Sequence, residues 1–193
     1  MSSEISRLPA KAGWQYIREW DMVVGVCPKC GSGSIRAAID AEGLEYWHRA
    51  DPMEVSRRVF VVRHPLDRFE SLWRNKCRDG GLVRVGKKIA PGTFHQLDGL
   101  TPRELFEYSL KNPNHHWTPQ IVLHGQVAQR ECRIVRIEDM NTFWHKLPDS
   151  THPFPQHNRT HGKVEYDMEL MDEVLNYYED DYILWAQADP RRG

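Results

Sequence analysis

The stretch MVVGVCPKCGSGSIRAAI, from Met22 to Ile39, constrains this chain more than any other. It opens on a continuous apolar run, Met22 to Val26, of the kind seen in a strand buried on both faces. A Gly/Ser-rich turn follows. Ser34 to Ala41 then reads as a helix, with Gly43 as its stop. A strand that passes through a short loop into a helix aims free backbone N–H groups, and the positive end of the helix dipole, at one point. Gly31 and Gly33 let such a loop curl around an anion with no Cβ in the way. Ser32 and Ser34 add hydroxyl donors, and Lys29 supplies a cation at the mouth.

The same letters spell CPKC, so a zinc-binding module using Cys27 and Cys30 is a competing reading. A structural zinc site needs four ligands, normally from two such pairs. Here Cys77 and Cys132 stand alone, and His115 and His116 fit no standard knuckle spacing. The Walker pattern GxxxxGK[ST] is absent because the Lys precedes the glycines. That counts against a second alternative, a P-loop nucleotide or small-molecule kinase.

A second constellation supports an anion site. VFVVRHPLDRFESLWRNK reads as a buried strand, Val59 to Val62, ending in Arg63, then a helix started by Pro65. An Arg at the tip of a parallel strand lies at the carboxyl edge of the sheet, where α/β proteins bind ligands. Arg63 and Ser71 suit a second phosphate, the one by its forked donors and the other by its hydroxyl. A third strand is expected in CRIVRIE, with a helix near Asp139 to His145. Thr101 and Pro102, with Glu104 close behind, open another helix. Met171, Val174, Leu175, Tyr178, Tyr182 and Trp185 form one stripe of a long final helix. Strands separated by helices predict a parallel α/β sheet with right-handed crossovers.

Lys plus Arg number 26 and Asp plus Glu 27, a net charge of −1, which argues against a general nucleic-acid binder. The charge is uneven. Residues 57–84 are rich in Lys and Arg, while residues 165–181 carry acids and neither Lys nor Arg. A local basic zone in a neutral protein points to a small anionic ligand. No stretch has the apolar length to span a bilayer and the N-terminus lacks a signal-peptide core, so a soluble, cytoplasmic protein with free thiols is expected.

With these residues in view, the chain resembles a known family. PKCGSGS (Pro28 to Ser34) is similar to the 5′-phosphosulfate loop of sulfotransferases, PKxG[ST][ST][ST], with Gly33 where Ser or Thr is usual. VVRHPLDRFESLW (Val61 to Trp73) resembles their 3′-phosphate motif, RxPxxRxxS. HHWTPQ, RIEDM and HNRT resemble further landmarks of the carbohydrate-type branch, sulfotransferase family 2, and roughly residues 20–185 are covered. The resemblance implies a three-layer, P-loop-like sheet flanked by helices, in a small soluble bacterial or viral member. It implies one domain over residues 1–193, with an N-terminal extension (1–20) and an insert (79–100) that is a candidate acceptor-site lid.

It implies transfer of a sulfuryl group from 3′-phosphoadenosine-5′-phosphosulfate (PAPS) to an acceptor hydroxyl of a small molecule or carbohydrate, leaving PAP and needing no metal. By that likeness Lys29 contacts the bridging oxygen and the 5′-phosphosulfate, and Cys30, Gly31, Ser32, Gly33 and Ser34 cradle the 5′-phosphate. Arg63 and Ser71 grip the 3′-phosphate, with Arg159 or Lys163 as further contacts. The acceptor needs a general base, usually His or Glu in such enzymes. His48, between the two motifs, is the first candidate, followed by Glu42 and Glu45, then His115 and His116. No nucleic-acid or membrane partner is expected.

Overall fold

A computed structural model describes residues 13–48, 55–78, 84–85, 88–89, 97–124, 132–155 and 167–188. Its centre is a five-stranded sheet in the order β3-β1-β2-β4-β7. The strands are β1 (Gly13–Ile17), β2 (Met22–Val26), β3 (Tyr46–His48), β4 (Arg57–Val62) and β7 (Arg133–Arg136). β2, β4 and β7 run parallel, as the apolar runs predict. β1 and β3 do not fit the expectation of an all-parallel sheet. β1 is antiparallel to both β2 and β3, so the sheet is mixed.

β1 escapes a sequence reading because GWQYI mixes polar and aromatic residues and lies inside the stretch taken as an extension. The short turn to β2 closes through Asp21 N–H to Arg18 O at 3.0 Å. Trp14 settles the pairing. It lies opposite Gly25, and a Cβ at Gly25 would fall 2.4 Å from the indole. The missing side chain lets Trp14 reach across to Phe60 of β4, ring centroids 6.0 Å apart.

Strand residues alternate between faces, and helices cover both sides. Arg133 lies over Phe143 of α5 (Met140–Trp144), so α5 packs on one face. Phe60 meets His124 of α4 (Gln120–His124), and Arg136 stacks on Trp185 of α7 (Glu179–Gln187), so these two pack on the other. α1 (Ser32–Ala41) follows β2 and joins α5 through Trp144 Nε1 to Glu42. Trp144, fully buried, and Trp117, 3% exposed, are core residues.

A second, smaller core gathers α2 (Pro65–Trp73), α3 (Pro102–Lys111) and α6 (Met168–Tyr177) around Phe69, Leu105, Trp117 and Leu170. α3 starts on a full capping box between Thr101 and Glu104. In the insert, β5 (Arg84–Val85) and β6 (Lys88–Ile89) pair as a small antiparallel ribbon. The final helix is broken. α6 ends at Tyr178, whose backbone leaves helical geometry at φ −105°, ψ 28°, and α7 begins at Glu179. The apolar stripe across residues 171–185 belongs to two helices, because Tyr178 turns inward to donate to Trp117 O at 2.7 Å.

Candidate active site

The loop between β2 and α1 begins with a tight turn. Cys30 N–H donates to Cys27 O at 3.1 Å, with Pro28 and Lys29 at the two central positions. Pro28 suits the first of these, and Lys29 takes φ 70°, the left-handed value the second demands in a type II turn. Lys is an uncommon residue there and carries backbone strain of about 1–2 kcal/mol. Gly31 follows at φ 86°, which favours glycine, and a Cβ on it would push the end of the Ile137 side chain aside. Gly33 differs from expectation. It is the second residue of α1 and makes no use of the left-handed region.

No side chain caps the start of α1. Its first-turn N–H groups therefore face the mouth of the loop with no cap from the N-cap residue, Gly31. Ser34 is buried and Ser32 half-buried at this end. Cys30 points the other way. Its backbone N–H is spent on Cys27, and its Sγ donates to Gln120 Oε1 at 3.0 Å, with the residue wholly buried. Cys30 thus shapes the loop from inside instead of facing a ligand. Cys27 is buried as well, and among the described residues no three His, Cys, Asp or Glu side chains group as metal ligands would.

Arg63 stands just past β4, beside the loop. Its Nη1 donates to Lys29 O at 3.2 Å. Its own backbone is held by one side chain: Gln120 Oε1 accepts from Arg63 N–H at 2.9 Å, and Gln120 Nε2 donates to Arg63 O at 2.9 Å. Gln120 was invisible as a functional residue in the sequence, although it ends the HHWTPQ landmark. Ser71 lies in the second turn of α2, half-buried.

Arg68, the second Arg of RxPxxR, has a different task. It is 3% exposed and donates to three carbonyls: Pro28 O at 3.2 Å, His116 O at 3.3 Å and Thr118 O at 2.9 Å. Its Nη1 lies 3.8 Å from Asp181 of α7. Asp181, in the acidic tail that reads as a solvated face, is fully buried. It accepts from the N–H groups of Gln120 and Ile121, both at 2.8 Å. Loop, strand tip, the 115–121 segment and α7 are thereby tied into one polar network.

The His115 and His116 rings lie 4.1 Å apart, tilted by 35°. Burial lowers the His116 imidazole to about 3, and the charges of Lys76, His115, Lys29 and Arg68 push the same way. Lys76 sits in a π-turn (Arg74–Arg78) that extends α2, and burial lowers its ammonium to about 8. The Lys76 shift comes from burial, while the His116 shift adds to burial the positive charge gathered around the loop. The latter shift makes His116 a poor proton acceptor near neutrality.

Glu42 is equally unsuited to a base. Burial works upward on its carboxyl, but hydrogen bonds from Thr151 and His152 outweigh it and hold the group well below the usual carboxylate range. Ser150 Oγ and Trp144 Nε1 donate to it as well. Asp139 precedes α5 without capping it through its side chain. His48 lies on the edge strand β3, opposite Gln15 and so level with Val24, about 10 Å away across two strand spacings. Glu45 is exposed just before that strand. Arg159 and Lys163, with the HNRT landmark, lie outside the described residues, as does most of the 79–100 insert.

The sulfotransferase family profile matches residues 32–186, which is most of the chain. The chain belongs to the sulfotransferase family. The match begins at Ser32, just after the Lys29–Gly31 turn, and takes in Arg63, Ser71, Arg68, Gln120 and Asp181. A comparison with curated proteins and one with solved structures each find no match. This sulfotransferase is an α/β protein with a mixed sheet, and among its described residues no helix is long and apolar enough to cross a membrane.

Proposed function

We propose that this sulfotransferase uses PAPS as donor and transfers its sulfuryl group to an acceptor hydroxyl. One observation carries the reading: the Arg63 guanidinium donates to Lys29 O, so two cationic residues meet at the carboxyl ends of the parallel strands β2 and β4. A nucleotide with anionic groups at both 5′ and 3′ positions matches such a corner. The uncapped first turn of α1 is what a bound phosphosulfate would complete.

In this reading the N–H groups from Ser32 to Ser34 hold the 5′-phosphosulfate, and the Lys29 ammonium offsets charge building on the leaving phosphate. Arg63 and Ser71 hold the 3′-phosphate, with Arg159 or Lys163 added by the family likeness. His48 is the general base that takes the acceptor proton. In-line group transfer of this kind rests on positioning and charge stabilisation, and the transferred group carries less charge than a phosphoryl, so no magnesium is invoked. A carbohydrate is the acceptor class favoured, and the cytoplasm the compartment. The three parallel strands with helices on both faces would form the P-loop-like core.

Calorimetric titration with adenosine 3′,5′-bisphosphate in the presence of a chelator tests the donor. Wild type is expected to bind, and Arg63→Ala to bind about 10- to 100-fold more weakly for loss of charge-assisted bonds. A wild type that does not bind sinks the PAPS reading.

A further inference from the structure

The basic zone of residues 57–84 is two surfaces, not one. Arg63 lies at the tip of β4, whereas Arg57 and Arg58 open the same strand, about 20 Å away at the strand rise. At that opposite edge a cleft of about 970 Å³ lies between the first residues of β4 and β7 and the segment after α5. Four cations line it, Arg57, Arg58, Arg133 and Lys146, and among the described lining residues there is no acid. Asp21, which acts on Arg57 through space, is engaged by Ser56 and Tyr16.

Within the described structure no hydrogen bond reaches the guanidinium of Arg57 or Arg133, or the ammonium of Lys146. Arg133 is set over the Phe143 ring at 5.0 Å, which fixes it against an apolar floor continued by Leu147 and Val59. Converging like charges, with open donors on Arg57, Arg133 and Lys146, above an apolar floor describe the complement of a particular ligand. We propose that this cleft binds an organic anion, with its apolar ring or chain on Phe143 and Leu147 and its carboxylate, sulfate or phosphate held by Arg57, Arg133 and Lys146. The site is independent of the donor reading, since the sheet separates it from the Lys29–Arg63 corner.

Naphthalene-2-sulfonate is the probe, with neutral naphthalene-2-methanol and inorganic sulfate as comparators, titrated into the full chain by ligand-observed NMR. The sulfonate is expected to bind at least about tenfold tighter than either comparator, and Arg133→Gln and Lys146→Gln each to weaken it by about three- to tenfold. Saturating adenosine 3′,5′-bisphosphate should leave its affinity unchanged. Equal binding of the neutral alcohol overturns the anion half of the proposal, and equal binding of inorganic sulfate overturns the apolar half. Displacement by the bisphosphate places the probe at the donor corner and overturns the site itself. Lys146 is exposed, so Lys146→Gln decides the matter even where Arg133→Gln perturbs folding. Unchanged sulfonate binding in that variant, or no sulfonate binding to the wild type, overturns the proposal.

Discussion

Arg68 and Asp181 face each other at 3.8 Å, with side chains 4% and 0% exposed. The pair joins the basic middle of the chain to its acidic tail, and both partners also serve backbone groups of the site. Arg68 holds the carbonyl of Pro28 in the loop, and Asp181 holds the first N–H groups of α4. The network's position behind the Lys29–Arg63 corner makes it the fastening of the loop.

Removing one member of a buried pair leaves the other uncompensated, at a cost of about 3–5 kcal/mol. Arg68→Met is therefore expected to lose that much stability in denaturant unfolding at neutral pH. Arg68→Lys should recover little, because one ammonium cannot satisfy acceptors that a planar fork serves. A loss under about 1 kcal/mol, the range of exposed pairs, would show that the network relaxes into solvent.

Lys29 combines a strained backbone with the proposed leaving-group contact. Lys29→Gly and Lys29→Ala both remove the ammonium, and each should lower the transfer rate by about 10²–10³-fold. They differ only in backbone freedom at φ 70°. The glycine variant should melt higher than the alanine variant, by about 1 kcal/mol in stability. Equal melting would mean the turn adopts another geometry in solution.

His116 reports on the charge around the loop. Burial and the neighbouring cations hold its imidazole near 3. Binding of adenosine 3′,5′-bisphosphate places negative charge among those cations, and the His116 value should then rise. Ring-nitrogen NMR titration with and without the bisphosphate measures this. No upward movement would separate the bisphosphate from the cations that face His116.

Glu42 supplies a pH-linked term. Its folded-state value is depressed, so its contribution is fully present above the ordinary range near 4.5 and is lost as pH falls through the lower folded value. Glu42→Gln should lower the melting temperature at pH 7, and the gap to wild type should close as pH drops below about 4. A gap that stays constant with pH would assign the effect to packing alone.

The parallel half of the sheet was legible because continuous apolar runs followed by Gly or Pro punctuation leave few alternatives, as at Val59 to Val62 before Pro65. β1 was hidden since GWQYI has no clean period. Its place depends on a long-range fit, Trp14 over the missing side chain of Gly25. The turn at Lys29 and Gly31 and the strand-tip place of Arg63 were readable from local spacing. Gln120, Arg68 and Asp181 were not, because a buried polar network shows itself only when distant segments meet. Asp181 read as one more solvated acid among its neighbours, and nothing local to α7 sets it apart.

The turn that carries Lys29 is made early in synthesis, whereas Asp181 follows Gln120 by 61 residues. On the ribosome, the nascent strand-loop-helix unit emerges long before the helix that secures it. The Lys29–Arg63 corner gains its Asp181 backing only once the α7 segment has docked. Until then the Asp181 end of the network cannot help hold Lys29 in its left-handed conformation, which persists only where the surrounding structure over-determines it.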